Sequence, residues 1–491
     1  PREGVSCAPV LTMVKRVFVG RPLASAEQEH QRIPKLVALP VFSSDAISST
    51  AYATEEILFV VALGSSSLVR GLSTLVPIAT AVALLLAIVT FSYRQTIFAY
   101  PSGGGSYIVS RENLGEYPSL VAGASLLVDY ILTVAVSISA GVAAILSIPA
   151  FESLQSLRVP LCLLLIAFIT VANLRGVRES GRLFAIPTYI YIVSLAAMLA
   201  FGLWGALVTH HTQPVPFDPH KFEGTLRVGG TLTLFLILRG FSSGAVALSG
   251  VEAISNGVPA FRRPESKNAA TTMLWMAAIL GSLFFGASVL AHHLKPFPSH
   301  DETVLSQMAR AVFGTNVMYW ILQFATAGIL TLAANTAYAD FPRLSSIIAK
   351  DRYLPRQFAN RGDRLVFSNG ILFLAGAAVV LILLFGGVTN KLIPLYAIGV
   401  FTSFTLSQAG MVRHHLKERE PGWRRGVVIN GVGSVATLAV TLIVGITKFT
   451  IGAWVPVVVV PLIIVLFVAI HRHYDHVERE LEVSQGEMPP A

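Results

Sequence analysis

Twelve stretches of this chain are each apolar for about twenty residues, enough at 1.5 Å per helical residue to cross a hydrocarbon core of about 30 Å. They lie near residues 36–62, 73–98, 118–149, 159–174, 183–208, 231–258, 268–293, 316–349, 366–386, 391–415, 427–447 and 452–470. Only 13% of the 491 residues are charged, against about 25% in a soluble domain. So few charges cannot cover a soluble surface of that size, and lipid must be the solvent for much of it. The pattern predicts an all-α integral membrane fold over 36–470, with an N-terminal segment at 1–35 and a short tail at 471–491.

Residues 1–35 are polar and basic, and the first apolar run is too long for a signal-peptide core. Met13 opens MVKRVFVGRPL, which reads as a start and makes Pro1–Thr12 an extension. Cys7 and Cys162 are too few and too far apart for a disulfide framework or a thiolate metal site. The formal charge of +9 does not point to nucleic acid, because the basic residues lie between apolar runs. With the N-terminus inside, inner segments hold about 27 of the 36 lysines and arginines, among them Arg175, Arg178, Arg182, Arg262, Arg263, Lys350, Arg352, Arg424 and Arg425. The outer loops hold about 8, and Arg239 falls within a helix without a partner that the sequence names. Both termini are therefore expected in the cytoplasm.

The chain also carries a trace of internal symmetry. Ser43-Ser44-Asp45-Ala46 opens the first span and Ser242-Ser243-Gly244-Ala245 recurs early in the sixth, with Thr50 and Ser249 at matching offsets. Two halves of five helices, five being odd, must be inverted with respect to each other. Inverted repeats with broken first helices mark many secondary transporters, which hold substrate near the midplane.

An ionisable group at mid-bilayer costs a few kcal/mol, about 2.5–3.5 on insertion scales, so each one needs a reason. The run from Ser43 to Glu56 is rich in Ser and Thr, whose side chains compete for backbone hydrogen bonds. Unwinding there would free carbonyl oxygens beside Asp45, a setting for a dehydrated cation; the alternative is a polar helix entrance with Asp45 as a cap. Asp129, Thr133 and Ser137 are spaced i, i+4, i+8 on one face, next to Tyr130, and suit a hydrated or coordinating path. Ser249, Gly250, Glu252, Gly257 and Pro259 weaken the sixth helix, where Glu252 either carries a proton or ties freed N–H groups together. Tyr396 follows Pro394 in the tenth span and is either a phenolic ligand or gate, or an interfacial anchor.

Other patterns carry less. The pairs His210-His211, His292-His293 and His414-His415 fall at helix ends, and adjacent imidazoles point apart on a helix, so solvated ends are expected. No P-loop and no Ser-His-Asp arrangement is present, so neither ATP-driven transport nor an enzyme is expected, and nothing calls for a cofactor. Gly103-Gly104-Gly105 lacks the Lys-Ser/Thr of a phosphate cradle and reads as a tight turn beneath the second helix.

These stretches resemble the amino acid–polyamine–organocation (APC) transporter superfamily and, within it, the KimA-type potassium importers. The resemblance is carried by Gly20-Arg21-Pro22-Leu23, SSDAISSTAYATEEIL (43–58), YPSGGGSY (100–107) and DYILTVAVSISAG (129–141). It continues through SSGAVALSGVEAISNGVP (242–259), ANTAYADFPRL (334–344) and LIPLYAIGVFTSFTLSQAGM (392–411). It implies a LeuT-like 5+5 inverted repeat with broken helices one and six plus two extra helices, and secondary uptake of potassium by proton symport with alternating access. The ion-site positions it implies are Asp45, Tyr52, Asp129, Tyr130, Thr133, Ser137, Ser249 and Tyr396. Asp45, Asp129 and Glu252 are the candidates for the coupled proton. Ser249 stands where the family often has threonine and keeps the hydroxyl. Only about 20 polar residues follow the last span, from His471 to Ala491. Relatives carry a larger C-terminal domain there, tied to dimerisation and cyclic di-AMP inhibition. A homodimer is thus left open and control by cyclic di-AMP is not expected.

The rival is an amino acid or polyamine permease on the same fold. Amino acid permeases bind a substrate carboxylate on bare N–H groups in a glycine-rich break of the first helix. This chain has no glycine from Ser43 to Leu63 and places Asp45 there. At low dielectric that charge repels a carboxylate, which favours a cation.

Overall fold

The computed structural model describes residues 33–64, 71–103, 105–175, 181–210, 212–222, 233–299, 301–360 and 367–481. Among them there is no β-strand, only the isolated bridges Ile33–Phe261 and Phe222–Ser299. Eleven helical stretches are long and apolar enough to cross a membrane. The first expected span is not one of these, because its helix breaks into two shorter pieces. Helix α1 runs Lys35–Ser48 and α2 runs Ala53–Gly64, with a 3₁₀ turn at Ser49–Ala51 and Tyr52 leaving helical geometry at φ −126°. The cause is local: the hydroxyls of Ser48, Ser49 and Thr50 each donate to the carbonyl three residues back, at 2.7, 2.6 and 2.7 Å.

From there α3 (Leu75–Ala99) and the short α4 (Ser106–Asn113) lead into α5 (Glu116–Leu146). Next come α6 (Arg158–Leu174) and α7 (Gly181–Leu207). The sixth span breaks like the first. Helix α8 (Leu234–Gly244) tightens to a 3₁₀ turn at Ala245–Leu248, Ser249 is extended, Gly250 sits at φ +77°, and the chain resumes as α9 (Ala253–Asn256).

The remainder comprises α10 (Glu265–Leu294), the short α11 (Val304–Phe313), α12 (Val317–Lys350), α13 (Ser368–Phe385), α14 (Thr389–Glu418), α15 (Trp423–Lys448) and α16 (Trp454–Leu481). Two helices escape a search for twenty-residue runs, α4 and α11, since each is only two to three turns long. Helix α16 continues past 470 to Leu481, carried by i, i+4 pairs of His471 with Asp475 and His476 with Glu480, by an Arg352–Glu478 ion pair, and by His471 stacked on Tyr353 at 4.3 Å.

Burial sorts the helices into inner and outer ones. The apolar windows of α5 and α14 are 83% and 78% buried by protein, those of α15 and α16 only 28% and 17%. The first pair forms the centre with the two broken helices; the second forms a rim whose Val435, Leu442, Ile446, Leu462 and Val465 point outward. An apolar rim of that extent belongs in hydrocarbon, not water.

Candidate functional site

Asp45 lies in the last turn of α1, just before the break, and is buried. The carbonyls of Asp45, Ala46 and Ile47 are not bare, because the hydroxyls that caused the break cover one lone pair of each. The two breaks also touch: Ser49 Oγ lies 3.0 Å from the carbonyl oxygen of Ala247. Thr50 Oγ1 reaches Tyr191 OH on α7 at 2.7 Å, which anchors the first break from the other side.

Gly250 packs directly on the Asp45 carboxylate. A Cβ built there would lie 2.6 Å from Oδ2 and 2.8 Å from Cγ, and φ +77° is a conformation that glycine adopts at little cost. Tyr52, Ser249 and Tyr396 are side-chain neighbours beside this point. The Tyr396 hydroxyl donates to the Val246 carbonyl at a long 3.5 Å. Helix α14 thus brings Tyr396 to the break in the sixth span.

Asp129 on α5 and Glu252 at the start of α9 complete the cluster, both buried. Asp129 Oδ1, Glu252 Oε2 and Ser249 Oγ are enclosed with no hydrogen-bond partner. The charges that act on Asp45, Asp129 and Glu252 are those of one another and of Asp340; among the described residues no lysine or arginine joins them. Burying a charge without a partner costs several kcal/mol, roughly the Born penalty left after relaxation. Positive charge is what this cluster lacks.

The structure therefore brings Asp45, Tyr52, Asp129, Ser249, Glu252 and Tyr396 together. Thr133 and Ser137 follow Asp129 along the buried α5. Thr90, Thr170 and Thr326 spend their hydroxyls on the carbonyl four residues back; Thr133 and Ser137 make no such bond and no hydrogen bond to the cluster. Tyr130 sits to one side, where Asn256 Nδ2 donates to its hydroxyl at 3.3 Å.

Two clefts approach the cluster. One, of ≈ 720 Å³, has Tyr52 in its wall with Glu55, Arg158, Asp301, Glu302 and Thr389. Helix α11 is pinned beside it: Val304 N–H donates to Glu55 at 3.1 Å and Thr303 N–H to Ser147 Oγ at 3.0 Å. The other, of ≈ 500 Å³, has Tyr130 in its wall with Gly103, Gly105, Asn256, Asp340 and Arg343. Tyr52 and Tyr130 thus face opposite approaches.

Sequence reading missed Asp340, which lay inside the recognised run ANTAYADFPRL but was never singled out. It also missed Lys448, one residue past the expected end of its helix, which is buried with its Nζ making no hydrogen bond. Lys448 lies within electrostatic reach of Glu56 and of Arg239, the helix arginine whose neighbours the sequence left unnamed. His292 and His415 sit near helix ends as expected, bonded to Leu72 O at 2.9 Å and Gln95 Oε1 at 3.0 Å; His211 lies outside the described residues.

The family model described as amino acid permease matches residues 38–470. The potassium transporter KimA of Bacillus subtilis is 48% identical over 96% of this chain and 76% of its own length. The low-affinity putrescine importer PlaP of Escherichia coli is 23% identical over 58% of this chain and 61% of its own. Cationic amino acid transporter 3 of Arabidopsis thaliana is 23% identical over 82% and 66%. With a match of that extent and a relative of that identity, the chain belongs to the amino acid permease family.

Proposed function

We propose that this chain carries potassium into a bacterial cell by proton symport, with alternating access to one central site. The observation that carries this reading is the buried group Asp45, Asp129 and Glu252, which act on one another without a described basic partner. A potassium ion would supply the missing charge, and oxygens of Tyr52, Tyr130, Thr133, Ser137, Ser249 and Tyr396 would replace its water. Gly250 lets the second break close on Asp45, where a permease for amino acids needs bare N–H groups. The 48% identity to a potassium transporter favours potassium over the amine cations of the 23% relatives.

One of Asp45, Asp129 and Glu252 carries the coupled proton. Symport requires one loaded state that holds both ions, so the carboxylate that takes the proton is one whose neutralisation does not expel potassium. Binding of either ion then favours the other. The joined pieces α1 and α2 make a twelfth crossing. The chain then folds as a LeuT-like inverted repeat of five and five helices, with α15 and α16 additional and both termini cytoplasmic. In that orientation the Tyr52 cleft faces outward and the Tyr130 cleft inward, and rocking of the broken helices opens one at a time.

The test is growth of a potassium-uptake-deficient bacterium at low potassium, comparing wild type with Asp45→Asn. Rescue by wild type alone is expected. A well-expressed wild type that fails to rescue but takes up labelled putrescine or arginine would make this chain an amine permease instead. Potassium uptake indifferent to the pH gradient would remove the proton from the mechanism.

A further inference from the structure

Three consecutive residues just past α12 bind three other elements. The Asp351 carboxylate accepts the Tyr107 hydroxyl of α4 at 2.8 Å and forms an ion pair with Arg111 of the same helix. Arg352 forms an ion pair with Glu478 of α16, its Nη2 donating to Oε1 at 3.1 Å. The Tyr353 hydroxyl donates to Glu116, the first residue of α5, and its ring stacks on His471 of α16 at 4.3 Å. The backbone fixes all three, since their N–H groups donate to Ile347 O, Ala349 O and Ile348 O, each at 3.1 Å.

Tyr107 makes this junction part of the Tyr130 cleft. It lines that cleft from α4, opposite Leu344 and Ile347 of α12. Its ring and Ile348 both rest on Gly123 of α5, where a Cβ would lie 2.9 Å from Tyr107 Cδ2 and 3.1 Å from Ile348 Cδ1. The α4 and α12 walls therefore cannot part without breaking the bonds of Tyr107 and Arg111 to Asp351. Helix α16 braces the junction with one face, on which His471, Tyr474 and Glu478 are spaced i, i+3, i+7. The Tyr474 hydroxyl accepts the Arg356 N–H at 3.2 Å, and its ring lies 5.4 Å from the Arg356 guanidinium. Exposed ion pairs are individually weak, so the brace depends on the contacts of this face acting together.

We propose that Asp351, with Tyr107 and Arg111, is a clasp that sets how far the Tyr130 cleft opens, and that the end of α16 braces it through Arg352 and Tyr353. Asp351 touches no ion and acts as a positioning residue. The cleft must widen for an ion to pass and close for the opposite cleft to open. A clasp across its walls thus shifts the balance between the two states. The inference rests on the alternating-access reading above and adds to it the residues that restrain one of the two clefts.

The experiment uses the full chain with Cys7→Ser and Cys162→Ser and one reporter cysteine at a time, Ile347→Cys in the Tyr130 cleft or Thr389→Cys in the Tyr52 cleft. A membrane-impermeant maleimide is added to membrane vesicles of each orientation. Asp351→Asn should speed labelling of Ile347→Cys about tenfold and leave Thr389→Cys labelled no faster, the mark of a shift between two states. Asp351→Glu, which keeps the carboxylate, should stay within about twofold of the parent, and Glu478→Gln should give a gain of about threefold through the brace alone. If Asp351→Asn does not fold, Tyr107→Phe, which removes one hydroxyl, takes its place with a gain of about threefold. Unchanged labelling of Ile347→Cys in the folded variants overturns the clasp. Equal acceleration of both reporters overturns it too, since a loosened fold exposes both sides. A gain in Asp351→Asn with none in Glu478→Gln removes α16 from the proposal. Labelling does not depend on which ion is carried, so a parent chain that moves no rubidium-86 in sealed liposomes overturns the potassium reading alone, while the reporters decide the clasp.

Discussion

Gly250 stands over Asp45 so closely that a Cβ on it would lie 2.6 Å from the carboxylate oxygen Oδ2. The contact joins the two helix breaks at the carboxylate proposed above to favour a cation. Gly250→Ala forces either the carboxylate or the backbone aside, and alanine at φ +77° adds about 1–2 kcal/mol of strain. Uptake per folded molecule should fall about ten- to hundredfold, the usual cost of a displaced reacting group. Rubidium uptake normalised to the folded fraction checks it, and near-wild-type uptake would show that Asp45 tolerates displacement.

Asp45→Asn separates an ion-binding role from a structural one. A buried carboxylate without a basic partner costs the fold several kcal/mol of desolvation, a cost that neutralisation relieves. Uptake should vanish while the unfolding temperature in detergent holds or rises. A marked drop in that temperature would instead identify Asp45 as a helix cap.

Tyr396→Phe removes one oxygen and leaves the ring. Its bond to Val246 O is long, 3.5 Å, so stability should change by less than about 1 kcal/mol. The half-saturating potassium concentration should rise about three- to tenfold, the equivalent of one lost oxygen contact. Unaltered saturation with a slower maximal rate would make the phenol a gate and not a ligand.

Lys448 and Glu56, both buried, offer a double-mutant cycle. Lys448→Met leaves a buried carboxylate with less positive charge nearby and should cost about 3 kcal/mol of stability. Adding Glu56→Gln should restore most of it, a coupling of at least about 1 kcal/mol. Additive losses in detergent unfolding would mean that the two charges act independently.

The element boundaries show how far hydropathy reaches. Helices α3, α6 and α13 fall within about two residues of their apolar runs, because a run bounded by polar residues has one way to lie in lipid. The interruption of the first span was legible too, since Ser48, Ser49 and Thr50 act on carbonyls three residues away and chain order suffices to see it. The amphipathic α4 and α11 stayed hidden because they are too short for a membrane criterion. The extension of α16 was hidden because Arg352 and Tyr353, which stabilise it, are more than a hundred residues distant.

The same division holds for the site. The sequence by itself determined that this is a many-helix membrane protein with carboxylates at Asp45, Asp129 and Glu252 in the bilayer, because hydropathy and the cost of a charge in lipid are properties of composition and local order. Only the tertiary structure decided that these three act on one another, that Gly250 rests on Asp45, and that Asp340 faces the same cluster. Those relations join residues up to 295 positions apart, from Asp45 to Asp340. No local pattern encodes which helix faces meet; packing sets that, and with it which charges must share a counter-ion.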